Sequence, residues 1–194
     1  MGKGGAQMMA YPTLFFDYDK DDQRRDVSVC NYGIVLSAKG NKYQMNTYNG
    51  MGVGKYRINW KKEMGATNSK RNINFPLLRY ADVLLMYAEA LNEVNNGPTQ
   101  EAINAVKEVR KRAFRGNEAK AAAGIPTNHD DFHTFIQKER KLELSNEGLR
   151  RTDLTRWGKQ YEMLMAEKQR LVNLAKRDGE FANVPVYRAY YLST

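Results

Sequence analysis

Three carboxylates, Glu139, Glu143 and Glu147, recur every four residues and fall along one face if their segment is helical. Paired carboxylates are what glycoside hydrolysis needs, one as acid and the other as base or nucleophile. Such pairs face each other across a cleft rather than climbing one helix. Arg140, Arg150, Arg151 and Arg156 lie close to the ladder in sequence, and Arg79 and Arg110 sit on segments expected to pack nearby. Arg–carboxylate forks that tie helices together therefore outweigh catalysis here. His129 and His133 have the i,i+4 spacing of a one-faced metal pair, but His129 falls where a helix starts and no cysteine completes a set. The single cysteine, Cys30, excludes an internal disulfide framework. In the strand-like stretch Asp26-Val27-Ser28-Val29-Cys30 it reads as a small buried hydrophobe. Asp17-Tyr18-Asp19-Lys20-Asp21-Asp22 begins like a calcium loop, yet the sixth position is Asp22 and the twelfth Ser28, where an EF-hand needs Gly and Glu. A turn pinned by Asp22 and Arg24 is the better reading. No catalytic residue, metal site or cofactor is expected.

The residues best suited to touch a ligand are Tyr43, Tyr48, Tyr56, Arg57 and Trp60, in a Gly/Asn-rich stretch that suits exposed loops. A flat ring receives the C–H face of a sugar, while Arg, Asn and Asp receive its hydroxyl edge. The same rings could instead seal a helical core, and both readings stand at this point.

The 194 residues suffice for one domain with its own core. With 42% hydrophobic and 27% charged residues, general disorder is excluded. No apolar run approaches the ~20 residues of a membrane-spanning helix. Residues 1–7 contain no apolar signal-peptide core, so no secretory signal is expected there. The net charge of +9 invites a nucleic-acid reading, but the charges are spread along the chain and no zinc-finger, RNP or GXXG pattern appears. No nucleic-acid partner is expected.

The elements divide the chain at residue 74. Residues 1–74 are rich in Gly, Asn, Tyr and Asp, with short apolar runs such as Ile34-Val35-Leu36, and read as loops with a few short strands. Residues 75–194 read as a helical scaffold, continuous with the first part in one domain of a larger architecture. A helix is expected after Pro76 to about Val94, with Leu77, Tyr80, Ala81, Leu84, Tyr87, Ala88, Leu91 and Val94 on its inner stripe. Asn95-Asn96-Gly97-Pro98 stops it, with Gly97 suited to a left-handed cap. Thr99 caps the next helix, whose stripe is Ala102, Ala105, Val106, Val109 and Ala113, and the short link makes the two an antiparallel hairpin. A third long helix runs from caps at Thr127 to Asp131 through about Glu147, with Phe132, Phe135, Ile136, Leu142 and Leu144 inward and Gly148 ending it. Shorter helices are expected from Arg151 to Lys159 and from Tyr161 to Arg177. Paired helices of this size suggest degenerate tetratricopeptide units, although the Trp and Gly of that repeat's first half are missing. The fold class expected is mainly α, with tetratricopeptide-like hairpins and an irregular first half.

Two segments resemble the signatures of the SusD/RagB family. One runs Phe75-Pro76-Leu77-Leu78-Arg79-Tyr80-Ala81-Asp82 through Glu93, with Ala105 to Arg112 behind it, resembling the family's N-x-V-R-x-R helix. The other is Glu139-Arg140-Lys141-Leu142-Glu143-Leu144, then Glu147-Gly148, Arg150, Asp153-Leu154 and Arg156-Trp157-Gly158. A third, Asp22-Gln23-Arg24, resembles a D-x-R motif that follows an aromatic-rich stretch. The order and spacing of all three agree, so the resemblance covers most of residues 11–160. The departures are Ser145-Asn146, Leu149 and Arg151-Thr152, where the family favours Ala-Phe, His and an aromatic pair.

The resemblance implies a helical, lipid-anchored outer-membrane protein at the cell surface, of which this chain is the C-terminal part without the anchor cysteine. It implies a non-enzymatic protein that binds an oligosaccharide or peptide and hands it to a SusC-type TonB-dependent transporter. Trp157, inside the signature, is then structural, and Tyr80 and Tyr87 belong to the core stripe. The main alternative is a tetratricopeptide-like scaffold that binds a protein partner and no small ligand. A glycosidase using the acidic ladder is the lesser one.

Overall fold

The computed structural model describes residues 9–30, 32–35, 42–45, 51–55 and 74–184. In chain order the elements are α1 (Pro12–Asp17), α2 (Arg24–Ser28), β1 (Val29–Cys30), β2 (Tyr32–Val35), β3 (Lys42–Met45), β4 (Gly52–Val53), α3 (Tyr80–Val94), α4 (Gln100–Ala113), α5 (Glu118–Ala122), α6 (His129–Glu143), α7 (Arg150–Arg156) and α8 (Gln160–Lys176), then a 3-10 turn at Gly179–Phe181. The protein is mainly helical, as its periodicity implies, and the described strands are short and confined to the first part. Among the described residues no helix is long and apolar enough to cross a membrane. The chain groups into two compact units.

The first unit comprises Asp19–Arg24 and Phe75–Arg150. Its centre is the hairpin of α3 and α4, with α6 packed on α3 and α5 on α4. Leu85, Ala88, Ala102, Ala105, Val106, Val109, Phe132 and Ile136 form one buried cluster, with Ala81, Leu84, Leu91 and Phe135 packed against it. The α4 stripe is the expected one: Ala102, Ala105, Val106, Val109 and Ala113 are all buried. Small alanines let the two helix backbones approach, and Thr99 Oγ1 accepts the N–H of Ala102 at 3.2 Å to cap α4. Asn128 caps α6 in the same way, accepting the N–H of Asp131 at 3.0 Å.

The α3 stripe departs from expectation. Its buried residues are Asp82, Leu85, Ala88, Glu89 and Asn92, whereas Tyr80 is 73% exposed and Val94 84%, with Leu77 and Tyr87 also exposed. Tyr80 and Tyr87 are therefore not core residues. Apolar side chains occur on every side of this helix, so periodicity leaves its rotation open. Polar partners select it: Asp82 meets Arg140 at 2.7 Å and Asn92 Nδ2 donates to the carbonyl of His129 at 3.1 Å. The helix starts at Tyr80 rather than after Pro76, because Arg79 stays extended (φ −128°, ψ 153°) while its side chain reaches Glu143 and Glu147. At the other end Asn96, not Gly97, takes the left-handed conformation (φ 49°), and Gly97 N–H closes on the Asn92 carbonyl at 3.0 Å. Helix α6 stops at Glu143, four residues short of expectation. Ser145 Oγ donates back to the Leu142 carbonyl at 3.2 Å, and Asn146 (φ 63°) and Gly148 (φ 81°) turn the chain away.

The second unit takes its described residues from Met1–Tyr18, Arg25–Asn74 and Arg151–Thr194. Helix α1 lies on α8 through Arg170 to Asp17 at 2.7 Å and Thr13 to Glu167. Phe16 meets Phe181 edge-on with ring centroids 5.5 Å apart. Strand β1 pairs antiparallel with β4, Cys30 opposite Gly52, and β2 pairs with β3 from Tyr32↔Met45 to Val35↔Lys42. Cys30 is buried, as a small hydrophobe would be. However, Asp26 to Ser28 belongs to α2, so only Val29 and Cys30 of that stretch are strand. Neither α1 nor α2 is visible in the periodicity of the first part. Each spans under two turns and depends on packing rather than on an amphipathic stripe. The helix expected from Arg151 to Lys159 is α7, ending at Arg156, and α8 ends where Arg177 turns left-handed (φ 57°). Trp157 is half-buried, with the Arg156 guanidinium 4.5 Å from its ring centre.

Candidate functional site

The acidic ladder is drawn into the interior of the helical unit. Glu139, Glu143 and Glu147 are buried, and Asp22 and Arg24 are buried with them. Helix α6 carries Glu139 and Glu143, while Glu147 follows its end, where Asn146 in the left-handed region returns the chain toward the same face. Arg24 Nη1 lies 2.6 Å from Glu139 Oε1 and 3.2 Å from Glu143 Oε2. Its Nη2 meets Asp22 Oδ2 at 2.6 Å, and its own backbone N–H donates to Asp22 Oδ1 at 2.9 Å. The turn pinned by Asp22 and Arg24 is thus present, and it delivers the arginine into the ladder.

Arg79 forks onto Glu147, Nε to Oε2 at 2.7 Å and Nη2 to Oε1 at 2.8 Å, and reaches Glu143 Oε1 at 3.0 Å. Arg110 meets Glu139 Oε2 at 3.3 Å and donates to the carbonyls of Ala121, Lys120 and Ala123. Arg112 pairs with Glu143. Each of the six ladder oxygens therefore faces a guanidinium. Among the described residues, these pairs set four acids, with Asp22 included, against four arginines. Burial pushes the Glu143 carboxyl up, but Arg112, Arg24 and Arg79 more than offset it and hold it below the usual carboxylate range. Burial likewise opposes the charge on Arg24, and Glu139, Asp22 and Glu143 still raise its affinity for the proton. A glycosidase acid needs the opposite, a raised pKa and an open face toward the sugar. This is a neutral ion-pair lock.

The sequence puts Arg79 and Arg110 on segments that pack near the ladder, whereas no local pattern brings Arg24 or Arg112 to it, although both stand in the family-like motifs. Arg140, close to the ladder in sequence, pairs with Asp82 at 2.7 Å, and Arg156 with Asp153 at 3.0 Å.

Of the expected ligand contacts, Tyr43 lies on β3 opposite Ile34. Its side chain, and all of Tyr48, Tyr56, Arg57 and Trp60, lie outside the described residues. What the described residues do offer is an open concavity of about 400 Å³ in the helical unit, lined by Lys20, Asp21, Phe114, Arg115, Asn117 and Lys120. No motif marks it, because residues 19–22 and 114–120 meet only in the folded chain.

The arginines and glutamates that close the lock come from the segments that resemble family signatures, and comparison with known proteins agrees. The SusD family profile matches residues 6–191. The chain belongs to the SusD family. SusD-like protein P2 of Formosa agariphila is 32% identical over 162 residues, 79% of this chain and 32% of that protein. SusD-like protein P25 of the same organism is 43% identical over 82 residues, 42% of this chain and 15% of that protein. A SusD homolog crystal structure from Bacteroides thetaiotaomicron superposes with TM-score 0.67 at 31% identity, over 82% of this chain and 34% of that one. The chain thus spans about a third of the length of SusD-family relatives it matches.

Proposed function

We propose that the chain is part of a cell-surface capture protein that binds oligosaccharides, or peptides, and passes them to a SusC-type TonB-dependent transporter without chemical change. The observation that carries this reading is the family match over residues 6–191 joined to the fate of the signature residues. The carboxylates that might have done chemistry are closed into a lock of paired charges. Tyr43, Tyr48, Tyr56, Arg57 and Trp60 remain the proposed contacts in the Gly/Asn-rich stretch. Placement at the outer-membrane surface by a lipid anchor follows from the same family reading.

The test is calorimetric titration of neutral oligosaccharides, with Trp60→Ala and Tyr48→Ala as probes. Binding that falls at least tenfold in either variant, with unchanged thermal melting, supports the reading. A second reading, a scaffold for a protein partner, draws on the exposed residues Tyr80, Val83 and Tyr87 of α3, at three- and four-residue spacing, with Val94 seven residues further on. Absence of saccharide binding, with capture of a transporter fragment that Tyr87→Glu abolishes, would favour it.

A further inference from the structure

We propose that the concavity lined by Lys20, Asp21, Phe114, Arg115, Asn117 and Lys120 is a subsite for the acidic group of a saccharide bearing a carboxylate or a sulfate ester. The proposal rests on the saccharide-capture reading and names its charge class.

Charge comes first. Three cations and one acid line the space, and Asp21 is engaged by Lys120. Lys20 and Arg115 make no ion pair among the described residues, in contrast to the arginines of the lock, and leave the space net positive. An arginine fork matches the geometry of a carboxylate or sulfate, and a lysine adds a movable point charge. The remaining lining suits the rest of a sugar. The Phe114 ring offers a surface for C–H groups. Asn117 uses its Oδ1 to accept the N–H of Lys120 at 3.0 Å, which leaves its Nδ2 to donate to a hydroxyl. About 400 Å³ lies within the range of small-ligand pockets.

The walls are also held in place. Gly116 N–H closes on the Lys111 carbonyl at 2.8 Å beyond the end of α4, with Arg115 in the left-handed region (φ 54°). That conformation is unfavourable for arginine, and its side chain lines the concavity. Asn117 N–H then bonds the Phe114 carbonyl at 3.1 Å. On the facing side, Asp22 N–H bonds the Asp19 carbonyl at 3.0 Å and Asp21 N–H the Asp19 carboxylate at 2.8 Å. Gln23 N–H ties this turn to the Ala113 carbonyl at 3.1 Å. Arg24, next along, is anchored in the lock. A site whose backbone is already ordered loses less freedom on binding.

The test titrates the 194-residue chain with trigalacturonate, its methyl ester and galactose 6-sulfate. Trigalacturonate binding assigns a carboxylate ligand and galactose 6-sulfate binding a sulfated one. The methyl ester, of the same shape without charge, should bind at least tenfold more weakly than the free acid. Charge-assisted hydrogen bonds imply that the double variant Lys20→Gln, Arg115→Asn weakens the anionic ligand by at least tenfold. Asn tolerates the left-handed backbone at 115. Lys138→Gln, an exposed cation on α6 outside the concavity, should change affinity less than twofold. If the double variant melts below wild type, the two single variants are read instead, each expected at threefold or more.

Failure of both anions to bind, equal binding of the methyl ester, or full binding by the variants overturns the subsite. So does tighter binding of a twelve-nucleotide single-stranded DNA that competes with both sugars, which would make this a nucleic-acid surface. Binding of neutral oligosaccharides that Trp60→Ala removes, with no response to charge, overturns the subsite and leaves the capture reading standing. Binding of no saccharide overturns both.

Discussion

Glu143 faces three guanidinium groups, those of Arg24, Arg79 and Arg112, from a position where its side chain is 1% exposed. Replacing it with Gln keeps the shape and removes the charge that balances them, which leaves the buried Arg24 above all short of counter-charge. Glu143→Gln should therefore lower unfolding free energy by about 3–5 kcal/mol, the range for breaking a buried pair from one side. Urea denaturation checks this, and a loss below about 1 kcal/mol would mean that the lock contributes little. The same carboxyl makes a pH prediction. Its folded pKa lies below its ordinary value of 4.5, so the stability it contributes is fully present above pH 4.5 and drains away as pH falls through the folded value. Acid denaturation of wild type should accordingly be steep below pH 4.5 and shallower in Glu143→Gln. Parallel profiles for the two proteins would contradict that assignment.

Helices α3 and α4 differ in how much of them the sequence discloses. In α4 the inward residues are Ala and Val and the outward ones mostly charged, so one rotation satisfies the pattern, and all five expected residues are buried. In α3 adjacent Leu84 and Leu85, with Tyr80, Val83, Met86 and Tyr87, offer apolar groups in every direction. The rotation is settled by Asp82 and Asn92 reaching partners on α6, which are distant in sequence. Leu85→Ala should thus cost about 2–5 kcal/mol, as for a fully buried leucine, while Tyr87→Ala should cost under about 0.5 kcal/mol in this chain. The sequence-derived stripe predicts the opposite emphasis on Tyr87, so chemical denaturation of the two variants separates them. The same limit hid the lock's full membership. Helix period places Glu139 and Glu143 together, but only the tertiary path brings Arg24 to them from 115 residues away. It also hid the concavity, whose two walls share no local pattern.

At the scale of the chain, the family could be read from sequence because its signatures are long. The ligand could not, because rings such as Tyr48 and Trp60 suit a sugar face and a helical core alike, and the chain spans only a third of its matched relatives. Net charge leads to one further expectation. The chain carries +9 and the charges of its lock balance, so the excess lies outside the lock, and like charges repel. Salt screens exposed charges over about 8–10 Å at 0.1–0.15 M but barely reaches a buried pair. Exposed pairs such as Lys111–Glu118 lose something as well, but solvent already screens them and they contribute little. Repulsion among the unbalanced cations should dominate. The melting temperature should rise by a few degrees as NaCl increases from 20 to about 200 mM, with most of the gain at the low end, where the Debye length shortens fastest. Arg24→Met tests the division between surface and interior. It should lower the melting temperature by uncovering Glu139 and Asp22, yet leave the salt response as steep as in wild type, since the group removed is one that salt does not reach. A salt response that disappears in Arg24→Met would place the sensitive charges inside the lock instead.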